Sequence, residues 1–267
     1  SGFSGLVYEI VWTRQLLLIF GSTTHSVVSV LSAFMCGLAL GSLIIGRISD
    51  STHNPLKLYG FLELFVGGSA LATIILFPVV QFIYQSTYIL FGVDPLLLVI
   101  FKFLLTTIVL LPATIAMGGT LPVLVRFFLG FSPHVSKAVG YLYFVNTLGA
   151  VFGVLLTGFV FIELLGLRTS LMLAVGVNFV IGLLSLYLAR SSKILEVNKR
   201  ENQGFAKNEK FSASNGVVFL ALFSFAVSGF ISLAYEVLWT RLLTPSVGTY
   251  IYAFSGILGV YLLGIAL

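Results

Sequence analysis

The chain has 267 residues, of which 58% are hydrophobic and only 9% charged, with a formal net charge of +5. A soluble domain carries about 25% charged residues, so this composition argues against a soluble enzyme and for a chain embedded in lipid. The modest positive charge needs no nucleic acid to explain it, and one cysteine, Cys36, leaves neither a disulfide nor a metal cluster to build.

Apolar runs of about 20 residues read as membrane-spanning helices. In chain order they cover the start to Phe20, then Thr23–Ile48, Leu58–Phe77 and Leu96–Leu111 and onward. Val139–Ile162, Ser170–Ala189, Val217–Trp239 and Ile251–Leu267 follow. Leu96 to Phe128 is 33 residues, about 50 Å of helix against a core of about 30 Å, so a kink or break is expected near Pro112, Gly118-Gly119 and Pro122. Gly37 with Gly41, and Gly149 with Gly153, place two glycines on one face for close helix packing.

Residues 1–40 and 228–267 repeat one another without a gap, at an offset of 227, with 15 identities in 40. Tyr8, Glu9, Trp12, Thr13 and Arg14 recur as Tyr235, Glu236, Trp239, Thr240 and Arg241, and Gly21 recurs as Gly248. Such duplication implies two halves of one membrane protein. The expected architecture is all-α and polytopic. Residues 1–190 form a six-helix half, 191–215 a polar cytoplasmic linker, and 216–267 the first two helices of a second, truncated half. By alignment with the second copy, about 11 residues of helix one are expected to precede Ser1, and four helices to follow Leu267.

The connections after helices two, four and six carry Arg47, Lys57, Arg126, Lys137 and Arg190, and the linker adds five more Lys and Arg. Positive-inside bias then puts the N-terminus and linker in the cytoplasm of a multi-pass protein of the cell membrane. His25, His53 and His134 lack ligand spacing, and no metal site is expected.

Charged residues inside helices are the functional candidates, because charge at membrane depth is costly. They are Glu9 and Glu236, Arg14 and Arg241, Glu63, and Lys102. Glu9, Trp12 and Thr13 share a helix face, as do Tyr8 and Trp12, while Arg14 points about 140° away from Glu9. The duplication would set two carboxylates and two Tyr/Trp pairs at equivalent places around a central pathway, able to bind a cation or relay protons. A structural reading stands beside it: Glu236 would lie about 29 Å along its helix, where Glu, Trp and Arg can anchor at the headgroups. Glu63 would pair with a loop arginine, Lys102 would snorkel outward, and Asn146 would hydrogen-bond across helices.

Two resemblances follow from ordered motifs. Gly46-Arg47-Ile-Ser-Asp50 resembles the loop signature of the major facilitator superfamily, although Ser51 stands where a basic residue is expected. More extensively, Ser1-Gly-Phe-Ser-Gly-Leu-Val-Tyr-Glu-Ile-Val-Trp-Thr-Arg14, Gly21-Ser-Thr-Thr and Ala33-Phe-Met-Cys-Gly-Leu-Ala-Leu-Gly-Ser42 resemble the fused facilitator/spermidine synthase family. Met117-Gly-Gly-Thr-Leu-Pro122, Tyr143-Phe-Val-Asn-Thr-Leu-Gly-Ala150 and Gly166-Leu-Arg168 continue that likeness.

The resemblance implies a facilitator-like helical bundle joined to a C-terminal aminopropyltransferase-like domain in the same chain, which would use decarboxylated S-adenosylmethionine and a polyamine. These 267 residues hold no Gly-x-Gly run, and Asp50 and Asp94 are their only aspartates, so no catalytic residue and no cofactor are assigned here. Three functions stay open. One is a membrane region handling, or anchoring around, a polyamine or other small cation. The others are a free-standing facilitator-type transporter and a membrane anchor without transport. For the first, Glu9, Glu236, Tyr8, Tyr235, Trp12, Trp239, Arg14, Arg241, Glu63 and Asn146 are the substrate-binding candidates, and the lipid bilayer is the certain surrounding.

Overall fold

A computed structural model describes residues 1–91, 94–129, 135–190 and 215–266. The linker at 191–214, with its five basic residues, and His134 lie outside the described residues. The helices are α1 (Gly2–Phe20), α2 (Thr24–Ser51), α3 (Pro55–Phe91), α4 (Pro95–Leu129) and α5 (Val135–Leu156), then a π-helical turn (Thr157–Phe161). α6 (Ile162–Ala189), α7 (Asn215–Val247) and α8 (Tyr250–Ala266) complete the set, and no strand occurs among the described residues. Six continuous helical stretches are long and apolar enough to cross a membrane, and α8 is a shorter apolar helix. The chain is an all-helical, multi-pass membrane protein.

One of those stretches, Val139–Ala189, is 51 residues long and holds two passes rather than one. Gly166 breaks it with φ 76° and ψ 171°, a conformation essentially closed to other residues. α5 lies along α1, with Gly153 against the Phe3 backbone. After Gly166 the chain returns, so that the Ala189 carbonyl accepts a hydrogen bond from Asn54 Nδ2, just before α3, at 3.5 Å.

The ends of α2, α4 and α6 therefore gather at one end of the bundle with the start of α3. Ile45, Leu56, Tyr59, Val123 and Ala189 form an apolar cluster there. The larger core sits above it, around α1, where Tyr8, Trp12, Leu16 and Phe20 pack against α2, α3, α4 and α6 residues such as Phe34, Ala70, Leu110 and Leu171. The expected small-residue seams are present: Gly37 and Gly41 of α2 press on Thr114 and Ile115 of α4, and Gly118 and Gly119 of α4 press back on Leu38 and Ile45.

Three expectations about helix extent are corrected. Of the kink or break expected in α4, the break is absent: the helix runs 35 residues through Pro112 and Pro122. The α2 seam supports it on one side, and Thr114 and Thr120 hydroxyls bond carbonyls of the preceding turn, so freed backbone groups stay sheltered in protein. α3 continues past Phe77 and Pro78 to Phe91, where polar Gln81, Gln85 and Ser86 had ended the apolar run. α7 continues past Trp239 to Val247 for the same reason, carrying Arg241, Thr244 and Pro245 inside a regular helix.

Candidate functional site

α1 ends at Phe20 and Gly21 takes φ 84°; α7 ends at Val247 and Gly248 takes φ 93°. The two glycines are 227 positions apart, and each follows its helix with a positive φ, leading into α2 and α8.

The duplicated glutamates come within electrostatic reach of each other. Glu9 is 3% exposed on α1, and its charge and that of Glu236 on α7 act on each other. Tyr250, at the start of α8, also lies within electrostatic reach of Glu9, Glu236 and Arg241. An apolar cluster of Ile10 and Leu17 of α1, Val154 of α5, and Val237, Ile251 and Phe254 of the second copy packs nearby. Glu9 Oε1, Glu236 Oε1 and the Tyr250 hydroxyl are each buried without a hydrogen-bond partner. Arg241 is within electrostatic reach of Tyr250 but hydrogen-bonds to the Ser22 carbonyl, so the three oxygens make an acceptor-rich group that a positive ligand would satisfy.

Beside Glu236 a groove of about 880 Å³ opens between α7 and α8. Phe159, Tyr235, Trp239, Tyr252 and Tyr261 line it, offering aromatic faces of the kind that attract cations. Its walls are tied together. Tyr261 donates to Ser232 Oγ at 3.1 Å, Tyr252 donates to Glu163 at 3.2 Å, and the Tyr252 ring stacks on Phe159 at 5.5 Å. The π-helical turn carries Phe159 into this wall, while its Gly158 lets Ser255 of α8 approach closely.

Not every candidate joins the site. Tyr8 and Trp12 are wholly buried toward α3, stacked at 5.1 Å, with Trp12 Nε1 donating to Thr73 Oγ1 at 3.1 Å. Their counterparts Tyr235 and Trp239 are more than half exposed on the groove. The expected symmetric pair of aromatic flanks is therefore not formed among the described residues: Tyr8 lies about 100° round α1 from Glu9 and packs toward α3, whereas Tyr235 lines the groove. Arg14 is half-buried, with no hydrogen bond or ion pair among the described residues, and Arg241 reaches the Ser22 carbonyl at 3.5 Å. Asn146 lies against Gly2 at the α1–α5 contact, far along the helix from Glu9.

Glu63 does not pair with a loop arginine; no ion pair reaches it among the described residues, and it lies in a separate place between α1, α3 and α6. Lys102 does not snorkel. It is 7% exposed, donates to the Phe20 carbonyl at 2.9 Å and Ser26 Oγ at 3.3 Å, and lies over the Tyr84 ring. It caps the C-terminus of α1, where a cation complements the helix dipole. The anchor position assigned to Glu236 also changes, because α7 extends eleven residues beyond it.

Tyr250, Tyr252, Phe159 and Glu163 are site residues that the repeat comparison passed over. Tyr250 aligns with Thr23 and the others lie outside or differ between the copies, so duplication gave them no signal. Asp50 and Asp94 are both exposed and sit at opposite ends of the bundle, at the end of α2 and before α4. Compared with family models, curated proteins and solved structures, the chain matches none.

Proposed function

We propose that this chain is the integral membrane region of a spermidine synthase-like fusion protein, built on a facilitator-like bundle, and that it takes a polyamine-type cation at the Glu9–Glu236 pair. The observation that carries this reading is the meeting of two repeat-related carboxylates, each with an unpartnered buried oxygen, beside an aromatic groove. A polyamine offers separated ammonium groups on an apolar stem. One ammonium would sit between the carboxylates and Tyr250, and the stem would lie along Tyr235, Trp239 and Tyr261. Arg241 and Arg14 would border the entrance rather than hold the ligand. Aminopropyl transfer, with decarboxylated S-adenosylmethionine, would belong to a C-terminal catalytic domain.

The gathering of the α2, α4 and α6 ends at one end of the bundle, with Arg47, Arg126 and Arg190 on them, supports a cytoplasmic placement for that end, the linker and the N-terminus. Equilibrium binding of labelled spermidine to the detergent-purified chain tests the proposal. Saturable binding that falls at least tenfold in E9Q/E236Q supports it, and binding unchanged by the double substitution rejects it. A membrane-anchor reading draws on one observation, the exposed Trp239 and Arg241 on α7, and predicts no spermidine binding in either form.

A further inference from the structure

Glu63 is fully buried in the first half, where the Tyr59 hydroxyl, one turn earlier on α3, is close enough to hydrogen-bond to its carboxylate but no positive charge pairs with it among the described residues. A carboxylate buried in a dry bundle is strongly disfavoured unless a positive charge joins it, so this group requires an explanation. Its surroundings are oxygen-rich. Tyr8 of α1 and Tyr59, one turn earlier on α3, both lie within electrostatic reach of it. The Tyr8 hydroxyl is itself buried and unpartnered.

The third wall is α6. Gly60 and Gly182 bring the α3 and α6 backbones into contact, and Asn178 packs on Gly67, one turn beyond Glu63. Asn178 is 2% exposed, and its Oδ1 is another buried acceptor without a donor. A carboxylate, a phenol and a carboxamide from three helices thus come together in one interface with no cation to balance them. No lysine, arginine or histidine pairs with them among the described residues; Lys102, the buried cation of this half, is committed to the end of α1.

We infer that the Glu63 interface between α1, α3 and α6 is a binding site for a small monovalent metal cation, a sodium ion, distinct from the Glu9–Glu236 pair. A single positive charge beside the carboxylate offsets the penalty of burying it, and hard oxygen donors suit sodium. The site faces the main core rather than the groove. Its three helices include α1, which presents Tyr8 to this site and Glu9 to the other, so an ion here would act on the helix that carries the ligand carboxylate.

Trp12, stacked on Tyr8, is a built-in reporter, and replacing Trp239 (W239F) makes it the sole tryptophan. In detergent, Trp12 emission and melting temperature are followed against sodium chloride, with choline chloride as control. A saturable sodium response with a rise of about 5 °C is expected. The response must vanish in E63Q and persist in E9Q/E236Q, and Y59F must weaken it. If sodium does not move the parent chain, or if E63Q responds like the parent, the inference is overturned. Failure of spermidine binding leaves this result untouched, so the two proposals stand or fall separately.

Discussion

Gly21→Ala and Gly248→Ala test whether the two hairpins share one built-in turn. Both glycines have positive φ, and a Cβ added at either would meet nothing within 4 Å, so the whole effect of substitution comes from the backbone. At Gly21, φ 84° with ψ 152° lies in a region that costs a non-glycine residue about 1–3 kcal/mol. Alanine returns about 0.4–1 kcal/mol by restricting the unfolded chain. The net loss is about 1–2 kcal/mol per site, roughly tenfold in the unfolding equilibrium. Gly68→Ala is the control: the same added methyl also meets open space, but the site is helical, and stability should rise by about 0.5–1 kcal/mol. Reversible unfolding in mixed micelles, with SDS as denaturant, reads all three. Neutral outcomes at both Gly21 and Gly248, or a stabilising one at either, would refute the turn argument.

Gly41→Ala should destabilise by about 1–3 kcal/mol because its methyl runs into the Ile115 backbone, whereas Gly46→Ala, in ordinary contact with Pro122, should be nearly neutral; the same SDS titration compares them. Thr73→Val leaves the Trp12 indole N–H without its acceptor and should cost about 1–3 kcal/mol, with a shift in Trp12 emission measured in the W239F chain. Lys102→Met strips a charged donor from the Phe20 carbonyl and should lower stability by about 1–3 kcal/mol; a stabilised protein would show instead that the buried amine is a net burden.

The helical class, the hairpin repeat and the small-residue seams were legible because each leaves a local or periodic trace. Gly21 and Gly248 align in the sequence and both take a positive φ. What could not be read was direction around each helix. Tyr8 and Glu9 are neighbours in sequence but about 100° apart on α1, and only the packing of α3 on one side and α7 on the other sends them to different sites. Hydropathy also ends helices where polarity begins, as at Phe77 and Trp239, although backbone hydrogen bonding carries α3 and α7 well beyond. Lys102 was misread for a related reason: its partner is the carbonyl end of α1, a group invisible to side-chain patterns.

The most direct test of the central claim is proximity of the two repeat glutamates. The single native cysteine, Cys36, is first replaced by serine, and E9C/E236C is then treated with a short bis-thiol-reactive linker in native membranes. The account predicts rapid intramolecular cross-linking in the double variant and none in either single variant. Absence of cross-linking, with both thiols shown to be reactive singly, would contradict the meeting of the two halves at Glu9 and Glu236.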